Sequence, residues 1–325
     1  MRRCSAIFRV GALNRMLPAA LFCLFVVGAS AQRDTSSVAS LEDPPLRLSV
    51  DEVVLTFNAT DSKGLSVDDL KAAEIRIRDN GLAPRRIVAF DELINRPVRA
   101  GILLDTSESM RQALQVNRAI AKNFVERLFR RKSDAALVAG FGFALDPVQP
   151  WTGDSGLLLS GIEGTREERR SPGGTSLFGA LFRVCAYSFN KVDPTATGNF
   201  ILLFSDGEDN AGLTSPEEAA RACQRSNTEV FAFLPASAED HASTGPKALR
   251  EFVAKTGGRV FRADDSEDAV WKDLKEIESE MRNQYRLVYN PADFKHDGAF
   301  HEIELQPPDR VRRIEVRSGY FAPRQ

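Results

Sequence analysis

From residue 97 to residue 284, short apolar runs alternate with amphipathic stretches, and this rhythm constrains the fold more tightly than any other feature of the chain. Gly101-Ile102-Leu103-Leu104 and residues 135–141, 200–204, 230–234 and 259–261 read as buried strands, with a shorter one near 148–151. Between them, Ile120, Phe124 and Leu128 fall on one helical face. So do Leu177, Leu181 and Cys185, then Leu249 and Val253, then Val270, Leu274, Ile277 and Met281. Strands that are apolar on both faces and separated by helices specify βαβ units, hence a doubly wound, mostly parallel α/β sheet covered on both sides. The helical stripes are then core.

The flanks follow a different period. Val50, Val53, Val54, Leu55 and Phe57 lie in one run, Glu74-Ile75-Arg76-Ile77-Arg78 alternates strictly, and Asp79-Asn80-Gly81 is a tight-turn signal before Ile87 and Val88. A hairpin is expected there. After Tyr285 alternation returns in residues 285–289, 301–305 and 313–316. Neither flank has enough strands to bury a face alone, so residues 46–95 and 285–325 are expected to pair into one small β domain beside the 96–284 sheet.

Residues 1–31 carry Arg2, Arg3, Arg9 and Arg15 as their only charges, then an apolar run at 17–27 and Ala29-Ser30-Ala31. This is the layout of a cleaved secretory signal peptide, with an uncleaved membrane anchor as the alternative; the run is shorter than the ~20 residues a spanning helix needs, so the mature chain is read as having no membrane span. Residues 32–45, Ser-rich and closed by Pro44-Pro45, read as a flexible linker. Without residues 1–31 the chain has 39 basic against 45 acidic residues, a net charge of −6. An exported, mildly acidic protein follows, periplasmic or extracellular, with no basic surface for nucleic acid. Four cysteines and three histidines show no metal-ligand spacing, so any metal must be held by oxygen.

Such oxygens concentrate where strands stop. Asp105-Thr106-Ser107-Glu108-Ser109 follows a buried strand and sets a carboxylate and two hydroxyls at alternate positions, which in extended backbone face the same way. Phe204-Ser205-Asp206-Gly207 ends another strand, and Gly173-Gly174-Thr175 opens the helix that follows. Helix capping alone would use the same residue types. The three parts in this order resemble the von Willebrand factor type A domain and its metal-ion-dependent adhesion site, whose pattern is Asp-x-Ser-x-Ser, a distant Thr and a distant Asp. Asp105, Ser107, Ser109, Thr175 and Asp206 fill it. The likeness spans about Arg96 to Gln284, and the ending Ser318-Gly319-Tyr320-Phe321-Ala322-Pro323 is similar to that of the bacterial von Willebrand factor A-related group.

The resemblance implies a sheet order of 3-2-1-4-5-6, with Asp105 and Asp206 on the two strands that flank its switch point. It also implies a divalent ion bound by those five residues. Mg2+ suits hard oxygen donors best, with Mn2+ or Ca2+ as alternatives, and a dication incompletely neutralised by the site attracts an Asp or Glu carboxylate from a protein partner. Arg166, Arg169 and Arg170, in the loop before Thr175, could flank that carboxylate; internal ion pairing of the loop is the alternative.

Catalysis is the competing class. Leu104-Asp105-Thr106-Ser107 is also similar to an aspartic-protease turn, but no second such turn supplies a dyad. A metal-bound water could act in hydrolysis if Glu108 or Glu208 served as base, whereas solvated loop carboxylates are the plainer reading of both. No Gly-x-Ser-x-Gly, Walker A or His-Glu-x-x-His pattern occurs, so a non-enzymatic adhesive or scaffolding protein is expected. Cys185 and Cys223 remain after export. The family topology places their helices on one sheet face, which leaves a bond open, but each lies on an apolar side and separate buried thiols are expected.

Overall fold

The computed structural model describes residues 51–324 except 130, 168–173, 194 and 240–243. The signal peptide read at 1–31, the linker at 32–45 and the expected start of structure near Leu46 lie outside the described residues. In chain order, β1 (Val53–Thr60), β2 (Arg76–Asp79) and β3 (Arg86–Leu93) precede β4 (Val98–Asp105), α1 (Leu114–Arg127), β5 (Ala135–Phe141), β6 (Leu145–Thr152) and α2 (Ser155–Gly164). Next comes α3 (Leu177–Arg183), which continues through a π-helical turn (Val184–Ser188), and then β7 (Gly198–Phe204), α4 (Pro216–Arg225) and β8 (Thr228–Leu234). The chain continues with α5 (Ala236–Glu239), α6 (Gly245–Thr256), β9 (Val260–Arg262), α7 (Glu267–Arg282), β10 (Gln284–Asn290), β11 (Phe300–Gln306), β12 (Arg313–Val316) and β13 (Gly319–Phe321).

The central sheet has the order β6-β5-β4-β7-β8-β9, with only β6 antiparallel to its neighbour. Counted along the chain this is 3-2-1-4-5-6, the doubly wound order expected. Successive side chains of β4 feed opposite faces, as the period of two requires. Ile102 and Leu104 join the core beneath α1, α2 and α7, where Phe124, Phe200 and Phe231 meet edge to face. Leu103 joins the core beneath α3, α4 and α6 with Ile201, Leu203 and Phe252.

The two flanks do share strands. β1 lies between β10 and β12, and β10 lies between β1 and β3, in one antiparallel four-stranded sheet, while β11 bridges β2 and β13 in a second. Their inner faces enclose Phe57, Phe90 and Tyr285, stacked or tilted against one another, together with Ile77, Ile303 and Tyr289. Asp79, buried among them, accepts hydrogen bonds from the hydroxyls of Tyr289 (2.8 Å) and Tyr320 (3.0 Å).

The expected hairpin is corrected. Asn80 and Gly81 have φ of 46° and 78°, and Asp79 and Leu82 exchange both backbone bonds, so the tight turn forms. The strands then separate: β2 pairs with β11 and β3 with β10. The next hydrogen-bonded pair of a two-residue hairpin would join Ile77 to Pro84, which has no N–H to give.

The expectation of separate thiols is also corrected. Cys185, in the π-helical turn after α3, and Cys223, on α4, are bonded, with Cα atoms 4.8 Å apart and both side chains fully buried. The burial that suggested independent thiols is the reason they meet. α4 presents Ala219, Ala220 and Ala222 beside Cys223, and small side chains let two helices on one sheet face approach closely.

At the strand ends opposite Asp105, polar groups join the central sheet to the flanking antiparallel sheet. Arg282, the last residue of α7, pairs with Asp134 at 2.8 Å, and Asp134 also accepts the N–H of Val98 at the start of β4. Arg96 donates to the carbonyl of Thr197 and to the side chain of Gln284, the first residue of β10. Nearby, Arg259 contacts Glu280 (2.5 Å), Glu276 (3.2 Å) and Glu315 (3.6 Å).

Candidate functional site

β4 runs out at Asp105, and the chain turns at once because Thr106 donates both its N–H (2.8 Å) and its hydroxyl (3.0 Å) to the carbonyl of Phe141, the last residue of β5. That clamp leaves Asp105 with no exposed surface at the sheet edge. One carboxylate oxygen accepts the N–H of Ser107 (3.0 Å) and the other the hydroxyl of Ser205 (2.8 Å). Burial pushes the Asp105 carboxyl up to about 7; the bond from Ser107 opposes the rise, and the negative charge of Asp206 adds to it.

The two serines of Asp-x-Ser-x-Ser project to the same side, their Oγ atoms 3.2 Å apart and sharing a hydrogen bond. Ser109 Oγ donates to Asp206 Oδ2 at 2.6 Å, which closes the link from the β4 loop to the end of β7. The other oxygen of Asp206 accepts the N–H of Glu208 (3.1 Å). Four of the five expected ligands, Asp105, Ser107, Ser109 and Asp206, therefore belong to one hydrogen-bonded cluster.

Thr175 reaches the same loops by another route. Its N–H donates to Asn210 Oδ1 (2.5 Å), and its carbonyl accepts from Asn210 N (3.1 Å) and Ala211 N (3.0 Å). Gly174 before it has φ of +78°, and a Cβ there would lie 2.1 Å from Asn210 Oδ1, so glycine alone permits this approach. Asp209 accepts the N–H groups of Phe178 (2.8 Å) and Gly212 (3.0 Å), tying the start of α3 to the loop after β7.

Ser205, Asp209 and Asn210 are thus part of the site's support and were not assigned from sequence. Ser205 had a usable signal: β4 and β7 pair Leu104 with Phe204, so the next residues, Asp105 and Ser205, must lie side by side. The other two act through loop shape, which carries no periodicity.

Of the flanking charges, Arg166 is exposed, while Arg169 and Arg170 lie outside the described residues. Glu167 pairs with Arg111 (3.3 Å) of the segment after β4, which also approaches Glu108 (3.7 Å), so this pair joins two loops and is not pairing within residues 165–172. Glu208 turns away to the start of α6, where one of its oxygens occupies space that a Cβ on Gly245 would invade at 2.7 Å. That oxygen is buried without a hydrogen-bond partner among the described residues.

The donor set can be tested against a hard dication. An octahedron with metal–oxygen distances of 2.0–2.1 Å has edges of about 2.9 Å. The separations of 3.2 Å between the two serine oxygens and 2.6 Å between Ser109 and Asp206 lie on either side of that value. Two acids, one of them stripped of water, and neutral hydroxyls make a set that favours a cation and leaves charge for an outside ligand. Among the described residues, no group of three or more His, Cys, Asp or Glu is placed to hold a metal, and no helix is long and apolar enough to cross a membrane.

Residues 101–296 match the family model described as von Willebrand factor type A domain. Among solved structures, one from Catenulispora acidiphila, a von Willebrand factor type A protein, is 12% identical with a TM-score of 0.44 and covers 84% of this chain and 74% of that one. BatB from Bacteroides thetaiotaomicron is 19% identical with a TM-score of 0.45, over 55% of this chain and 97% of that one. Proximal thread matrix protein 1 from mussel byssus, with a zinc-occupied MIDAS motif, is 17% identical with a TM-score of 0.45, and 58% of this chain spans about half (48%) of its length. Comparison with the curated proteins gives no match.

Proposed function

Since the chain belongs to the von Willebrand factor type A domain family, a family of protein-interaction modules, we propose that it binds an acidic protein ligand through a divalent ion held by Asp105, Ser107, Ser109, Thr175 and Asp206. The observation that carries this reading is the continuous cluster joining Asp105, Ser107, Ser109 and Asp206 across two adjacent strand ends. A bound ion supplies positive charge that a partner's Asp or Glu carboxylate can meet. The protein's own groups do the rest. Ser107 and Ser109 present neutral oxygens, Asp105 and Asp206 only partly neutralise a dication, and Asn210 holds the Thr175 backbone in place.

Mg2+ fits the spacing and hardness of these donors, with Mn2+ and Ca2+ as alternatives. Arg166, Arg169 and Arg170 are proposed to border the ligand carboxylate. The reading is non-enzymatic: Glu208, one candidate base, faces α6, and Glu108 is exposed beside Arg111, which supports binding over hydrolysis. The pattern of residues 1–31 supports export to the periplasm or beyond, in adhesion or assembly of a protein complex.

The test is calorimetric titration of the chelator-treated protein with MgCl2, paired with capture of exported proteins with and without EDTA. Wild type is expected to take up one ion and retain an EDTA-sensitive partner, and Asp105→Ala to do neither while remaining folded. Partner binding by Asp105→Ala and by the EDTA-treated wild type at the level of the untreated wild type would show that the ion is not the bridge.

A further inference from the structure

Beside Thr175 the surface opens into a groove of about 500 Å³ between α3, the β5–β6 loop and the loop before α4. Its floor is made of small groups: a Cβ added at Gly179 would lie 2.2 Å from Ser176 Oγ. Its walls are large and apolar, and part of their surface is exposed. Phe143 is 42% exposed, Tyr187 63% and Leu213 63%, and the half-buried Phe182 also lines the groove. Three large apolar side chains around one concave floor form a patch, whereas single exposed apolar residues are ordinary.

Two observations say what covers it. The groove shares its backbone with the ion cluster, because Ser176 in its floor follows Thr175, and Leu213 and Thr214 end the loop that carries Asp206, Asp209 and Asn210. Its rim also carries Arg183, which is exposed and has no ion pair or hydrogen bond among the described residues. An unpaired guanidinium over an apolar trough selects an apolar side chain from an acidic segment.

We propose that the partner engages this protein through an acidic peptide segment that carries, a few residues from the carboxylate meeting the ion, a bulky aromatic or aliphatic side chain that seats in the groove. This deepens, and rests on, the reading of Asp105 and its neighbours as an ion site. The carboxylate gives ion dependence. The groove gives sequence selectivity, which a single ion–carboxylate contact cannot supply because every exposed Asp and Glu offers it.

The probe is a phage-displayed library of random dodecapeptides, selected on the purified protein in MgCl2 and eluted with EDTA; the best sequence is then synthesised and titrated. The recovered peptides are expected to combine Asp or Glu with Phe, Trp, Leu or Met at a restricted spacing. Leu213→Ser and Phe143→Ser, both at exposed positions, are expected to weaken the synthetic peptide roughly tenfold each, the loss of one apolar contact. Arg183→Gln should weaken it further. Alanine in place of the peptide's apolar residue should cost affinity on wild type and little more on Leu213→Ser.

Peptides that share only an acid, or groove variants that bind as wild type does while Asp105→Ala and EDTA still abolish binding, overturn the groove and keep the ion. Binding indifferent to both EDTA and Asp105→Ala overturns the ion site and this inference with it. Failure to recover any EDTA-eluted peptide overturns the groove as well.

Discussion

Asp105 is a buried acid whose environment, without a cation, works against its charge. Between the ordinary carboxyl value of 3.8 and the folded value of about 7, the native state holds a proton that the unfolded chain has released. Stability of the metal-free protein therefore falls as pH rises through that window. In EDTA at pH 8, Asp105→Asn is expected to be more stable than wild type by about 2–4 kcal/mol, with the gap closing by pH 4. MgCl2 should reverse the order at pH 8, and urea denaturation at the two pH values reads all three outcomes. Asn210→Ala removes the side chain that fixes the Thr175 backbone while leaving all five proposed ligand residues in place. A fall in Mg2+ affinity of about tenfold, with an unchanged melting temperature, is expected by calorimetry. At this scale the sequence was legible as a pattern of oxygen-bearing residues at a strand end, but not in its geometry: β4 stops at Asp105, and Ser107 and Ser109 are brought together by a turn in which Met110 N–H bonds the Ser107 carbonyl (3.2 Å), not by extended alternation. Asp209 and Asn210 were not legible, because their bonds to Phe178 and Thr175 depend on how a loop closes across 31 and 35 residues of chain.

For whole elements, the apolar runs predicted strands well and their partners less well. Phe200 to Phe204 must be a buried strand by composition alone, whereas β2 and β3 part after a well-formed turn because a single N–H is missing at Pro84. The link between α3 and α4 was equally hidden, since burial of Cys185 and Cys223 fits both a thiol pair and a bond. Closing a loop across 38 residues of chain, the bond is expected to contribute about 3–4 kcal/mol by restricting the unfolded chain. Denaturant titration of Cys185→Ser/Cys223→Ser should show that loss. Because both sulfurs are fully buried, dithiothreitol should reduce wild type slowly unless denaturant is added, as thiol trapping would reveal.

At the scale of the whole molecule, the pairing of the two flanks followed from their inability to bury a face separately, but the ionic seam beneath the sheet had no sequence signature. Its residues are far apart in the chain and individually ordinary. Arg259 and Arg313 face Glu276, Glu280 and Glu315, three acids for two bases. Burial pushes Glu280 up to about 7 despite Arg259, and Glu315 adds to the rise. The native state thus keeps a proton on Glu280 from about its ordinary 4.5 up to 7, and stability is lost as pH rises through that range. Glu315→Gln restores one acid per base, and urea denaturation at pH 5.5 and 8 is expected to show the pH dependence reduced by about 1 kcal/mol.

One further property comes from the junction of α7 and β10, which Asn283 alone separates. β10 is an interior strand, bonded along its length to β1 on one side and β3 on the other. A pull directed along β10 loads two hydrogen-bonded seams in shear, whose bonds must fail together instead of one after another. The sheet that holds β10 is thus built to resist a steady pull along the strand axis and to yield more readily to one that peels a strand sideways.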